Sequence, residues 1–461
     1  MQPNLVFVFS DQQRRHAVGC MGEDPVLTPN LDAFARQGVL ATQAVATCPV
    51  CTPNRACMLT GRFPHGCGVL ANDDVLSPAV PTIGDALRDA GYHTAYIGKW
   101  HLHHGSQFVP RSHRRGFDFW HANNVNHNLF ELSYWEESPE PVVRGPGWQA
   151  THETDVALRH LRERPKDQPF ALFLSWVAPH NTHGAGFTPY ADFPVDDAYA
   201  RMMEEAGYSG RDIQYHAPAR FEAPYRDRKL PRRANVPDDY AAAAVPGYFG
   251  GCTAVDAEFG RLLDYLEDAG LADNTIVVYT SDHGEMLGSH GLMQKFVWHE
   301  ESIAVPLLVR WPGQLPAGAR TDALINSPDL MPTLLDLLRV RAPAGLDGRA
   351  LSRCLRDPAF AGPEEAGLCF FAPRRRVLEQ SGTRDDLGWR ALRTPRQLFV
   401  ADADERRGGY RELLYDLERD PFQLTPVVNP SDAGASALRR RLAAWLTERG
   451  DSFRHRLRVA L

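Results

Sequence analysis

Four apolar runs in this chain each end on residues that can bind a metal ion or move a proton. "LVFVFSDQQ" delivers Asp11 and Gln12, and "TIVVYTSDHGE" delivers Asp282 and His283. "TAYIGKWHLH" delivers Lys99 and His101, which alternate and so point to one side, and "FALFLSWVAPHNTH" delivers His180. The first two endings echo each other: an apolar run, a serine, an aspartate, then a neutral side chain with a ligand atom. Two carboxylates, an amide oxygen and an imidazole nitrogen would bind a divalent cation. The oxygens suit a hard ion such as Ca2+, and the nitrogen leaves Mn2+ or Zn2+ open. A plainer reading, polar strand ends forming caps and turns, fits the same residues.

A second centre lies at "CPVCTPNRAC", residues 48–57. Cys48 and Cys51 spell C-x-x-C, a spacing found in redox pairs, but no thioredoxin-like βαβ context surrounds it. Zinc held by Cys48, Cys51 and Cys57 would need a second ligand pair at matching spacing, which the sequence lacks. Helix logic is more informative. Pro53 suits the first helical position, Leu59 and Thr60 continue the run, and Gly61 is a natural stop. Cys51 would then sit at a helix N-terminus, where backbone N–H groups and the dipole attract anions. Arg55, one turn on, faces the same spot. The other cysteines read as small buried packing residues.

These residues need a scaffold. Apolar runs alternate with amphipathic stretches, which predicts an α/β fold with a largely parallel sheet. In such sheets ligands bind outside the carboxyl ends of the strands. Strands are expected at Leu5–Ser10, Thr94–Gly98, Phe170–Val177, Thr275–Thr280 and Pro306–Arg310. Helices are expected at Asn30–Gln37, Thr82–Ala90 and Asp256–Ala269, each followed by glycine. Residues 184–240 read as an irregular, substrate-facing excursion, helical only near Tyr199–Ala206. Within it "RDRKLPRR" (226–233) is either a solvated stretch or a contact for an anionic substrate.

A shift near residues 356–368 divides a domain of residues 1–365 from a smaller unit, 366–461. The smaller unit is expected to carry short antiparallel strands at Arg390–Thr394, Gln397–Ala401 and Glu412–Leu417 and a helix over 432–449. The composition is that of a globular enzyme, with 43% apolar and 23% charged residues. A net charge of −7 gives no electrostatic reason for a nucleic-acid partner. No segment approaches the roughly 20 apolar residues of a membrane span. The first residues lack the features of a signal peptide, so the expected location is the cytoplasm.

"CTPNRACMLTGR" contains C-x-P-x-R and continues through Leu59, Thr60, Gly61 and Arg62. It resembles the full signature of the type I sulfatases of the alkaline phosphatase-like superfamily. The resemblance extends to "NLVFVFSDQQ", "TPNLDAFARQG", "GYHTAYIGKWHL", "SDHGEMLGSHGLMQK", "VPLLVRWPG" and "ELLYDLERDPFQL". It implies a large mixed, mostly parallel sheet sandwiched by helices, with a small C-terminal α+β subdomain. It also implies that a formylglycine-generating enzyme oxidises Cys51 to formylglycine, whose hydrate is the nucleophile.

Carried over by position, Asp11, Gln12, Asp282 and His283 would hold one divalent cation, Ca2+ first and Mn2+ second, which also contacts residue 51. Arg55 would orient the hydrate. Lys99 would hold the nucleophile and a sulfate oxygen, and His101 would assist breakdown of the hemiacetal ester. His180 and Lys295 would flank the sulfate and the leaving-group oxygen, and Asn72 would add an anion contact. The implied activity is hydrolysis of a sulfate monoester on a carbohydrate or small organic molecule. Gln12 and His283 depart from the commonest sulfatase ligands and resemble a branch that includes choline sulfatases, some glycan sulfatases and the phosphonate monoester hydrolases. Phosphonate monoester or phosphodiester hydrolysis by the same nucleophile is therefore the alternative.

Overall fold

The structure, a computed structural model, describes residues 2–182, 215–226, 228–237, 243–371, 386–404, 409–457 and 459. The helix expected near Tyr199–Ala206 lies outside the described residues.

Strand β1 (Asn4–Asp11) shows why the sheet is central: every residue in it is buried. Leu5, Phe7 and Phe9 pack into one hydrophobic cluster, whereas Val6 and Val8 pack into another. Alternate side chains leave opposite faces of a strand, so both faces are covered. The remaining strands of the sheet are β2 (Val39–Val45), β3 (His93–Lys99), β4 (Phe119–Asn123), β7 (Phe170–Pro179), β8 (Thr275–Ser281), β9 (Leu307–Arg310) and β10 (Ala319–Asn326). A separate hairpin pairs β5 (Glu131–Tyr134) with β6 (Val143–Pro146). The order across the main sheet is β10-β2-β9-β8-β1-β7-β3-β4. Neighbours run parallel except at β9, which is antiparallel to both β2 and β8.

On the face of Phe7 and Phe9 lie α2 (Cys51–Thr60), α3 (Ile83–Asp89) and α6 (Leu330–Leu337). On the face of Val6 and Val8 lie α1 (Pro29–Gln37), α4 (Gln149–Glu163) and α5 (Val245–Asp268). Helix α5 starts at Val245, earlier than the expected Asp256, and its added first part runs through Pro246 and three glycines, Gly247, Gly250 and Gly251. Pro246 sits in the first turn, where its missing N–H costs no helical bond. The glycines serve close approach. A Cβ on Gly247 would lie 1.8 Å from the carbonyl oxygen of Tyr215, and one on Gly251 would lie 2.9 Å from Pro179 Cβ.

The expected strands of this main sheet all form, within a residue or two at each end. Strands β2, β4 and β10 and the hairpin escape the apolar-run criterion. They carry polar residues such as Thr42 and Gln43 in β2 or His121 and Asn123 in β4, and β4 and β10 are the sheet edges.

Beyond residue 365 an antiparallel sheet runs in order through β11 (Ala366–Phe371), β12 (Gly388–Arg393), β13 (Gln397–Asp404), β14 (Gly409–Asp416) and β15 (Val427–Val428). Helix α7 (Ala433–Glu448) packs Leu438, Leu442 and Leu446 against Leu392 and Phe399 of this sheet. The unit grips α2 from both sides. Before α2, the Thr47 carbonyl accepts the Cys369 N–H at 2.8 Å and the Thr47 hydroxyl donates to the Gly367 carbonyl at 2.9 Å. After α2, Phe63 meets Trp445 edge-on at 5.1 Å, and His65 Nε2 lies 3.2 Å from the Asp451 carboxylate.

Asp451 also takes the fully buried Arg390 at 2.5 Å. Burial pushes the Asp451 carboxyl up, but Arg390 and His65 outweigh it and hold it well below the usual 3.8. A depressed folded-state value means stabilisation that is present above 3.8 and lost as pH falls below it. Replacing Asp451 by Asn should cost about 3–5 kcal/mol near pH 7, because it strands a buried guanidinium. The gap to wild type in urea denaturation should narrow as the pH drops below about 4.

Candidate active site

Strands β8, β1, β7 and β3 are adjacent and parallel, so their carboxyl ends share one edge. That edge gathers Asp282 and His283, Asp11 and Gln12, His180, and Lys99 with His101. Gln12 and His101 adopt left-handed backbone, φ 70° and 57°, without being glycine. Such conformations cost on the order of 1–3 kcal/mol and persist where surroundings over-determine them. The His101 N–H is held by the Asn124 carbonyl at 2.6 Å, and the Gln12 N–H by Asp282 Oδ1 at 3.1 Å.

Helix α2 brings in the cysteine. Val50 is its extended N-cap, Cys51 its first residue, and Gly61 ends it with φ 64°. Pro53 occupies the third helical position rather than the expected first. It remains within the opening turn, where no intrahelical N–H bond is lost. Asn72 accepts the Thr52 N–H on its side-chain oxygen at 3.0 Å, so it caps this helix from outside. The Cys51 thiol is buried beside His283 Nε2 at 3.1 Å, Lys295 Nζ at 3.6 Å and Asp11 Oδ1 at 3.7 Å.

Charged groups interlock around it. Arg55 is fully buried and bridges the aspartates, with Nη2 3.1 Å from Asp11 Oδ2 and Nε 2.9 Å from Asp282 Oδ2. Its Nη1 donates to the Lys99 carbonyl and the Ser175 hydroxyl, both at 2.8 Å. Lys99 Nζ meets Asp11 Oδ2 at 2.5 Å. Lys295 Nζ donates to Gln12 Oε1 at 2.5 Å and to His180 Nε2 at 2.9 Å. Burial pushes the Asp11 carboxyl up, but Lys99, Arg55, His283 and Lys295 hold it well below its usual range. Burial and Asp11 likewise push the Cys51 thiol up, and Lys295, Lys99 and His283 outweigh them to leave it lowered.

Asp11, Cys51, Asp282 and His283 place one ligand atom each within 4.8 Å of all the others. Gln12 Oε1 shares Lys295 with Cys51 and so faces the same point. Carboxylates, an amide oxygen and one imidazole are a donor set that fits a hard divalent cation.

Every residue carrying an expected role therefore gathers at this edge, with Asn72 on its rim. Two groups were not anticipated. His127 accepts from Lys99 Nζ at 2.9 Å and stacks on His180 with ring centroids 4.1 Å apart. It lies in the loop "NVNHNLF" (124–130) between β4 and β5, four residues past the last residue of β4 and in no motif that would single it out. Glu285 is fully buried and accepts from Gln12 Nε2 at 2.6 Å. Trp100 points away into an aromatic cluster with Tyr96 and Trp120, as alternation predicts. Residues 228–233 of the basic stretch border a cavity of about 280 Å³ together with Arg14, Phe249 and Leu287. Within that stretch Arg233 is committed to Glu23 and Glu301.

Comparison with known proteins agrees with this geometry. The Sulfatase family pattern matches residues 3–340. The chain is 31% identical to an ulvan-active sulfatase of Formosa agariphila, over 99% of this chain and 83% of that one. A structure solved in complex with its substrate D-glucosamine-2-N,6-O-disulfate superposes with a TM-score of 0.79 at 25% identity, covering 98% and 99% of the two chains. A phosphonate monoester hydrolase of Agrobacterium radiobacter shares the fold, with a TM-score of 0.73 at 22% identity over 97% and 95%. With the cysteine motif at the focus of the buried charges and the family pattern spanning the main sheet, this chain belongs to the sulfatase family and is a sulfuric ester hydrolase.

Proposed function

We propose that this sulfatase removes a sulfate ester from a carbohydrate. In this reading Cys51 is converted to formylglycine, and Asp11, Gln12, Asp282 and His283 hold a single Ca2+, with Mn2+ as the second candidate. The observation that carries it is the position of Cys51: first residue of α2, and within 3.7 Å of Asp11, His283 and Lys295 together. The carbohydrate is supported by the relative described as ulvan-active and by the neighbour solved with a disulfated glucosamine.

The formylglycine hydrate would supply the attacking oxygen, and the cation would draw charge from the sulfate oxygens. The chain's own residues do the rest. Lys99, Lys295 and the first N–H groups of α2 surround residue 51 with fixed positive charge, stabilising sulfate oxygens as charge builds on them. Arg55 holds Asp11 and Asp282 apart at a set distance. His180 donates Nδ1–H to the Asn181 carbonyl at 2.8 Å, which fixes Nε2 as the acceptor for Lys295. The proton between Nζ and Nε2 is thus placed to reach a departing alcohol oxygen. His101, with a buried Nδ1 that has no hydrogen-bond partner among the described residues, lies beyond Lys99 on the same side.

Phosphonate monoester hydrolysis is the second reading, favoured by Gln12 and His283. Protein co-expressed with a formylglycine-generating enzyme should show an aldehyde at residue 51 by peptide mass spectrometry. It should turn over sulfated sugars and aryl sulfates faster than phosphonate monoesters or phosphate diesters. An unmodified thiol without sulfate release, or faster phosphonate turnover, would contradict the sulfatase reading. Replacing His180 by Ala should lower kcat by about 10²–10⁴-fold. The loss should be larger for a sugar sulfate than for an aryl sulfate, whose leaving group needs no proton.

A further inference from the structure

The Gln12 side chain is held at both ends. Its nitrogen faces three acceptors: Glu285 Oε2 at 2.6 Å, Asn181 Oδ1 at 3.1 Å and the Tyr215 hydroxyl at 3.3 Å. Its oxygen therefore points the other way, to Lys295 Nζ and the point shared with Cys51. The orientation of an amide is set by its partners, and here the shortest contact comes from a carboxylate with no exposure to solvent.

Glu285 is itself immobilised. Its Oε1 accepts the N–H groups of Leu287 at 2.8 Å and Gln294 at 2.6 Å. Its backbone N–H bonds the Glu301 carbonyl at 2.8 Å. Gln294 directly precedes Lys295, so the same carboxylate that turns Gln12 also closes the loop carrying Lys295.

We propose that Glu285 is a positioning residue that turns the Gln12 oxygen into the cation site, and that its two accepting oxygens are why position 12 carries an amide. A carboxylate at position 12 would set acceptor against acceptor at this contact, with no N–H to donate to Glu285 Oε2. Glutamine removes that conflict while still offering one oxygen to the ion. The proposal rests on the cation reading given above.

A reciprocal swap tests it. In E285Q, the new side-chain oxygen stays with the Leu287 and Gln294 N–H groups, and its NH2 faces Gln12. Gln12 must then flip and present nitrogen to the cation. In Q12E, two acids meet. In Q12E/E285Q, the amide NH2 at position 285 donates to one carboxylate oxygen at position 12, and the other oxygen there is free to face the ion. Chelator-treated proteins, all with residue 51 in the same verified state, are titrated calorimetrically with Ca2+ alone and Mn2+ alone, and thermal melts are recorded without metal.

Each single variant should bind about 10- to 100-fold more weakly than wild type, and the double variant should recover most of that loss. Unchanged binding by E285Q, or a double variant as weak as the two losses combined, overturns the proposal. If E285Q gives no cooperative melt, the double variant decides: recovery of melt and binding supports it, and failure overturns it. The readout is binding, so an unexpected substrate leaves this inference intact. Absence of binding by wild type would sink the cation reading itself.

Discussion

Charge compensation among buried groups is the constraint on which this site depends. Asp11, Asp282, Arg55, Lys99 and Lys295 are all fully buried within one cluster. An isolated buried ion is costly, and removing one partner of a buried pair leaves the other uncompensated. The chain meets this demand by sharing. Asp11 takes both Lys99 and Arg55, Arg55 takes both aspartates, and Lys295 leans on Gln12 and His180. Each of these contacts joins different elements: β1 to β3, α2 to β1 and the end of β8, and the 285–295 loop to the ends of β1 and β7. The electrostatic network is thus also what holds the strand ends and the nucleophile helix in one register. Its excess of positive groups around residue 51 is what an anionic ester requires.

The scaffold supports the network from outside. Parallel strands buried on both faces bring four chain segments to a single edge, far apart in sequence. The C-terminal sheet bonds to Thr47 and the C-terminal helix packs on Phe63, so α2 is held just before and just after its own length. Glycines on α5 let that helix press against Tyr215 and Pro179, next to Gln12 and His180. Position 51 is therefore fixed by contacts from both parts of the chain.

Much of this was legible in the residues. Runs such as "LVFVFS" announce central strands because they are apolar at nearly every position, and the acids and histidines that follow them stand out. Helix α2 is readable from Pro53 and Gly61, although Pro53 sits two places later than the first helical position. What was not legible lacks local pattern. Strands β2, β4 and β10 mix polar and apolar residues, and the antiparallel direction of β9 follows from its connections rather than its composition. The early start of α5 was hidden by glycines that normally mark breaks but here permit close packing. His127 and Glu285 have roles only through contacts with Lys99 and Gln12, distant in sequence. Asn72, an anion contact by the family resemblance, also accepts the Thr52 N–H of α2, a contact with no local sequence signal.

In the proposed reaction the sulfo group passes to residue 51. The most direct measurement is intact and peptide mass spectrometry of a Cys51→Ser variant incubated with an aryl sulfate that the wild type cleaves. A serine hydroxyl placed in this field can accept the sulfo group but lacks the second hydroxyl that expels it. The expected result is one sulfo group per chain, confined to the peptide carrying residue 51. A variant that acquires none, or acquires it elsewhere, while the wild type releases sulfate would contradict it.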